Sequence, residues 1–161
     1  MRYLITGIEG FTGLFLKKKL EESNSKIFGT SINDHTDSNI YKCDISNETQ
    51  IFNVLKIVKP DVIFHLAAIS FVKSDPLKIY KTNVLGTLNL LESIVNLKLN
   101  PSKIIIASSA AVYGNQEGLL NENTLLRPVN HYGNSKLVME NMVANYFDRL
   151  NIIITRPFNY T

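Results

Sequence analysis

The chain has one cysteine, Cys43, among its 161 residues. A lone thiol closes no internal disulfide, and with no second cysteine it cannot seed a metal cluster, so Cys43 reads as a small buried or half-buried side chain. No apolar run reaches the 18 or so residues of a membrane span, and Met1-Arg2 leads directly into a β-like stretch where a cleavable signal segment would sit. A cytoplasmic protein without membrane contact is expected. An excess of one charge is also missing, because 17 Lys+Arg stand against 14 Asp+Glu for a net +3. The basic residues are scattered except for Lys17-Lys18-Lys19, a triplet ordinary on a solvated helix face, which argues against a nucleic-acid partner. Internal repeats and low-complexity linkers are lacking too. What is present, 45% hydrophobic and 19% charged residues, suits one globular domain with a single core.

Hydrophobic patterning then alternates between strand and helix periods. Arg2 to Thr6 reads as a strand broken at Gly7, after which apolar residues return at Phe11, Phe15, Leu16 and Leu20 as on an amphipathic helix. Lys26 to Thr30 and Ile40 to Cys43 suit strands, and Asn47 to Val58 suits a helix. The run Val62 to Ala68 has the near-continuous apolar character of a strand buried on both faces of a parallel sheet. A long helix is predicted from Asp75-Pro76, with Asp75 as cap and proline at the first helical position, to about Leu97. Strand Lys103 to Ala107, a polar loop over 114–130, a helix from Tyr132 to Leu150 and a strand Ile152 to Thr155 complete the pattern. Val138, Met142 and Tyr146 mark the expected buried side of that last helix. Strands separated by helices, with little sign of hairpins, predict right-handed crossovers and an α/β fold, a Rossmann-like doubly wound parallel sheet. The segment from Pro157 to Thr161 reads as a loop rather than a last layer, so further sequence is expected beyond it.

Three groups of residues carry chemistry. Gly7-Ile8-Glu9-Gly10-Phe11-Thr12-Gly13 sets three glycines at intervals of three between the first strand and the first helix. Such glycines let a backbone turn tightly against a pyrophosphate while the helix N-terminus offers N–H groups and partial positive charge. The same glycines could serve tight packing alone, and the spacing departs from G-x-G-x-x-G by one residue. Tyr132-Gly133-Asn134-Ser135-Lys136 places a phenol and an ammonium four residues apart on one helix face. A phenol, with an ordinary pKa near ~10, is a poor base at neutral pH, and an adjacent ammonium favours its ionised form. By itself the pair is commonplace. Ser108-Ser109 end a strand that begins Ile104-Ile105-Ile106, and in open α/β sheets the carboxyl ends of strands face the ligand crevice. Serines there can equally cap the loop.

Taken in order, the glycine turn, His65-Leu66-Ala67-Ala68, Asn83-Val84-Leu85-Gly86-Thr87-Leu88-Asn89-Leu90-Leu91, Ser108-Ser109-Ala110-Ala111-Val112-Tyr113-Gly114, the Tyr132–Lys136 pair and Arg156-Pro157-Phe158-Asn159 span nearly the whole chain. In this order and spacing the sequence resembles the extended short-chain dehydrogenase/reductases, in particular the branch acting on sugars linked to a nucleoside diphosphate. The resemblance implies a catalytic set of Ser109, polarising the substrate oxygen, Tyr132, transferring its proton, and Lys136, holding the nicotinamide ribose. It implies cofactor contacts at Gly7, Gly10, Phe11 and Gly13 for the pyrophosphate, Asp44 and Ile45 beside the adenine, and Leu66, Ala67, Ala68, Ser70 and Asn83 around the ribose and nicotinamide. Asn159 is implied on the diphosphate side of the substrate. His65 reads as a packed core histidine. The cofactor is NAD or NADP: the second strand ends Phe28-Gly29-Thr30-Ser31-Ile32-Asn33, with neither the acid that suits NAD nor the arginine that suits NADP, and Asp34 and His35 follow only slightly later.

Members of this branch are epimerases, 4-keto reductases and 4,6-dehydratases. The dehydratases resemble one another in an acid two residues after the Ser/Thr, a base on carbon; this chain has Ala111 there, and a methyl group abstracts no proton. The expected reaction is therefore hydride transfer at sugar C4, as in an epimerase or 4-keto reductase, with Tyr132 as acid/base. The alternatives are a dehydratase and a dinucleotide-binding module without catalysis. The resemblance also implies a homodimer paired through the two long helices, and a C-terminal substrate domain that residues 1–161, the NAD(P)-binding domain, lack.

Overall fold

The computed structural model of the chain describes residues 1–158. Its six parallel strands are β1 (Arg2–Thr6), β2 (Lys26–Ser31), β3 (Ile40–Lys42), β4 (Val62–His65), β5 (Lys103–Ala107) and β6 (Ile152–Thr155), in the spatial order β3-β2-β1-β4-β5-β6. Between β1 and β4 the order reverses, and that switch point is where open α/β sheets hold ligands. The expected doubly wound Rossmann-like sheet is present.

Helices α1 (Phe11–Glu21), α2 (Glu48–Val58), α3 (Pro76–Tyr80), α4 (Gly86–Asn96) and α5 (His131–Val143) connect the strands. Capping sets several of their starts: Asn47 Oδ1 accepts from Gln50 N at 3.2 Å, Asp75 Oδ1 from Leu77 N at 3.0 Å, and Asn130 Oδ1 from Gly133 N at 2.8 Å. The large core lies on the face covered by α2, α4 and α5, where Leu4, Ile63, Ile104 and Ile106 meet Leu55, Leu90, Ile94 and Met139. A smaller cluster of Ile5, Ile8 and Ile40 packs beneath Leu16 and Leu20 of α1.

The structure corrects three expectations. The run Val62 to Ala68 is a strand only to His65, because β1 turns away at Gly7, whose φ of 68° ends the ladder. Thr6 takes over the stranded donors: its carbonyl accepts from Leu66 N at 3.2 Å, and its Oγ1 from Leu66 N and Ala67 N at 3.2 Å each. The long helix predicted from Asp75 to Leu97 is broken by a π-helical turn, Lys81–Leu85, in which Gly86 N bonds back to Lys81 O. On α5 the buried side is Ser135, Lys136, Met139, Glu140 and Val143, whereas Val138 is 45% exposed. Tyr146 is buried as expected, in a 3₁₀ turn, Ala144–Tyr146, that follows α5.

Candidate functional site

Three cavities share walls along the carboxyl edge of the sheet and form one groove. The central cavity, about 400 Å³, is bounded by Gly7, Gly10, Phe11 and Gly13 on one side and by Tyr132 and Lys136 on the other, with Leu66, Ala68, Ser70 and Ser108 between them. Toward β2 it runs into a second cavity of about 400 Å³, where Asp44, Ile45, Thr30, Ser31 and Ala67 join Gly7 and Gly10. Toward α5 it runs into a third, about 440 Å³, where Tyr132 and Ser70 meet Ser109, Ala110 and Ala111. Residues 102 positions apart in sequence, Gly7 and Ser109, thus belong to one groove through their shared neighbours Ser70 and Tyr132.

Local structure explains how the pieces reach it. At Gly7, a Cβ would stand 2.9 Å from Ala67 Cα in addition to the positive φ, so only glycine allows β1 and the 66–68 segment to approach here. Helix α1 begins at Gly10, a cap residue that offers no side-chain oxygen to the first turn. Near the other wall, a Cβ on Gly133 would stand 2.6 Å from Ala111 O, so α5 lies against the 3₁₀ turn Ala110–Val112 only because that position has no side chain. This packing sets Tyr132 beside Ser109. Ser109 Oγ accepts from Ala111 N at 3.1 Å, the loop-capping role open to a strand-end serine, and its O–H remains a donor.

Lys136 is 5% exposed and its Nζ donates to Ala107 O at 2.7 Å. Burial, partly offset by Glu140, pushes its pKa down to about 8. Ser108 Oγ donates to Glu140 Oε1, and Glu140 is gripped by Arg156, whose Nε lies 3.0 Å from Oε1 and whose Nη2 lies 2.7 Å from Oε2. Arg156 also donates to Tyr113 OH at 3.2 Å. The network fixes the ends of β5 and β6 to α5 under the floor of the groove. Sequence reasoning missed it, although Glu140 stands one turn beyond Lys136 with an arginine after the next strand.

One of the expected contacts lies elsewhere. The structure does not bring Asn83 to the groove: it is 1% exposed, its Oδ1 accepts from Ile69 N at 2.8 Å, and its Nδ2 donates to Ile69 O at 3.1 Å and Ser135 Oγ at 2.9 Å. It clamps the wall from behind. Asn159 falls outside the described residues. His65 is the packed histidine expected, with Nδ1 2.7 Å from Thr6 Oγ1 and Nε2 2.9 Å from Thr87 Oγ1, and burial beside Lys136 pushes its pKa down to about 3. Cys43 is 3% exposed and burial raises its thiol to about 12. Among the described residues no group of His, Cys, Asp and Glu is placed to hold a metal ion, and no helix is long and apolar enough to cross a membrane.

Residues 4–161 match the family described as GDP-mannose 4,6 dehydratase. The chain belongs to this family. It is an extended short-chain dehydrogenase/reductase. It is 39% identical over 162 residues to GDP-6-deoxy-D-talose 4-dehydrogenase of Aggregatibacter actinomycetemcomitans, covering 99% of this chain and 53% of that one. It is 32% identical over 179 residues to UDP-glucose 4-epimerase of Mycoplasma genitalium, covering 98% of this chain and 52% of the relative. The crystal structure of UDP-glucose 4-epimerase from Brucella ovis in complex with NAD superposes with a TM-score of 0.88 at 28% identity, over 98% of this chain and 51% of that one. The chain spans about half the length of the relatives it matches.

Proposed function

We propose that this family member binds NAD or NADP along the groove and serves hydride transfer at C4 of a nucleoside-diphosphate sugar, as an epimerase or 4-keto reductase. The observation that carries the reading is the joining of the glycine turn, Tyr132 and Lys136 around one cavity, with Ser109 at its far end. The donor set suits a dinucleotide: the 11-residue helix opening on the glycine turn would hold the pyrophosphate, and the buried ammonium of Lys136 would hold the ribose. Asp44 and Ile45 would hold the adenine, and Leu66, Ala67, Ala68 and Ser70 would form the wall beside the ribose and nicotinamide. When bound, the nicotinamide supplies the hydride acceptor or donor. Tyr132 moves the proton on the C4 oxygen, and the Ser109 hydroxyl donates a hydrogen bond to the same oxygen. Lys136 holds positive charge one helical turn from the phenol.

Ala111 lines the cavity next to Ser109, so the position where a dehydratase would carry its carbon base presents a methyl group. The names of the two relatives above, a 4-dehydrogenase and a 4-epimerase, both point to position 4 of a nucleotide-linked sugar. Residues 1–161 act as the dinucleotide-binding unit of a cytoplasmic enzyme. It pairs as a homodimer through the α3–α4 and α5 surfaces, where Leu77, Leu85 and Val138 are exposed. The test is Tyr132→Phe assayed against a panel of nucleoside-diphosphate sugars and their 4-keto derivatives. Cofactor affinity stays within about twofold while turnover falls on the order of a hundredfold, the usual size of one acid/base group. Unchanged turnover rules out Tyr132 as the acid/base, whereas cofactor binding with no turnover by the wild type on any of these substrates leaves the non-catalytic module.

A further inference from the structure

The end of β2 lacks the acidic residue by which dinucleotide folds read the 2′-hydroxyl of the adenosine ribose. A carboxylate nevertheless stands there, brought from a different element. Glu9, in the middle of the glycine turn, lines the adenine-side cavity together with Thr30, Ser31 and Ile32 of the β2 end. Ser31 Oγ donates to Glu9 Oε2, and Asn33 Nδ2 donates to the same oxygen at 3.2 Å. Ser31 is itself fixed by accepting from Asn33 N at 2.9 Å. The Glu9 side chain is thereby tied across the gap between the glycine turn and the strand end. Both hydrogen bonds fall on Oε2, and Oε1 lies 3.9 Å from His35 Nε2. Since an ionised carboxylate offers about four acceptor positions, capacity remains for a diol. The bonds from Ser31 and Asn33 hold its pKa below the ordinary carboxylate value, so it is charged at neutral pH. Lys42 of β3 and Lys17 of α1 are directed to the acids that follow β2, Lys42 Nζ to Asp34 at 2.7 Å and Lys17 Nζ to Asp37 at 3.2 Å.

We propose that Glu9 is the cofactor-selectivity residue of this chain: its carboxylate accepts from the adenosine ribose hydroxyls and makes the site prefer NAD over NADP. A 2′-phosphate would bring close to two negative charges against Glu9, with His35 the one basic side chain described beside it. This inference rests on the groove's being a dinucleotide site.

The experiment is calorimetric titration of the purified protein with NAD⁺ and, separately, NADP⁺, for wild type, Glu9→Gln and Ser31→Ala, with thermal melts as the check on folding. Wild type binds NAD⁺ about tenfold or more tightly than NADP⁺, the scale of one charge-assisted hydrogen bond or of one like-charge repulsion. In Glu9→Gln the NAD⁺/NADP⁺ affinity ratio falls toward one, chiefly through tighter NADP⁺ binding. Ser31→Ala, which keeps the carboxylate but frees it from the strand end, lowers the ratio by a smaller factor. Equal affinities in wild type, or a ratio that Glu9→Gln leaves unchanged, overturn the assignment of Glu9 while leaving the dinucleotide site standing. Binding of neither cofactor overturns both.

Discussion

Lys136 and Ala107 join the two halves of the groove: the ammonium from α5 donates at 2.7 Å to the carbonyl at the end of β5, next to the serines that follow it. A backbone carbonyl cannot be moved by changing a side chain, so the position of the charge is set by the sheet itself. The ammonium is also buried, which costs free energy in the folded state and lowers its pKa to about 8, Glu140 opposing the shift.

A pH dependence follows. Between about 8 and the ordinary lysine value of 10.5, the unfolded chain holds a proton on Lys136 that the folded chain has released. Stability from this residue therefore rises with pH across that window, by up to about 1.4 kcal/mol per pH unit. Lys136→Met removes that gain and the ammonium together. Chemical denaturation of the two proteins from pH 7.5 to 10 should show the wild type gaining on the variant as pH rises, and NAD⁺ affinity should fall about tenfold in the variant at pH 7.

His65 gives the opposite edge of the profile. Its folded pKa is pushed down to about 3 from 6.5, so below 6.5 the unfolded state binds a proton that the native state refuses. Stability is present at neutral pH and is lost as pH falls from 6.5 toward 3, again by up to about 1.4 kcal/mol per unit. Urea melts of wild type and His65→Gln between pH 5 and 7, above the carboxylate range, isolate this contribution. The wild type should lose more stability on acidification; parallel curves would contradict the burial of an uncharged imidazole.

Arg156 is the counter-ion of Glu140, a carboxylate whose side chain is only 6% exposed. Removing one member of a buried pair leaves an uncompensated charge, a loss of about 3–5 kcal/mol. Arg156→Gln is expected to lower the melting temperature by roughly 10 °C, given about 2–4 °C per kcal/mol in a chain of this size. The double change Arg156→Leu with Glu140→Leu should recover part of that loss, since the carboxylate stripped of its counter-ion is then gone as well. Differential scanning calorimetry of the wild type and the two variants checks the order.

The sheet is legible because its strands carry the simplest pattern in the chain. Ile104, Ile105 and Ile106 read as a strand on any reckoning, and Ile152 to Thr155 likewise. What patterning does not reveal is where polar atoms substitute for regular pairing. Val62 to Ala68 reads as one strand, yet Thr6 Oγ1 takes the donors that a continued ladder would have used. On α5 the apolar residues mislead, because Lys136 and Glu140 are buried through specific partners, Ala107 O and Arg156, which lie 29 and 16 residues away in sequence. Family resemblance implies Asn83 as a groove residue, but the π-helical turn that holds it behind the wall has no hydrophobic signature. Glu9 stays hidden in the sequence because the glycines on either side carry the recognisable spacing. The placement of Gly7, Tyr132 and Lys136 around one cavity is a consequence of strand order, which alternation and chain direction together make readable.

The position of the nicotinamide end of the dinucleotide decides most, and a crystal structure of the protein grown with NAD⁺ measures it directly. The pyrophosphate should sit at the start of α1 against Gly7, Gly10 and Gly13, with the nicotinamide ribose about 2.6–3.2 Å from Lys136 Nζ or Tyr132 OH. A dinucleotide bound away from the glycine turn, or one whose nicotinamide lies out of reach of Tyr132 and Ser109, would contradict the proposed mechanism.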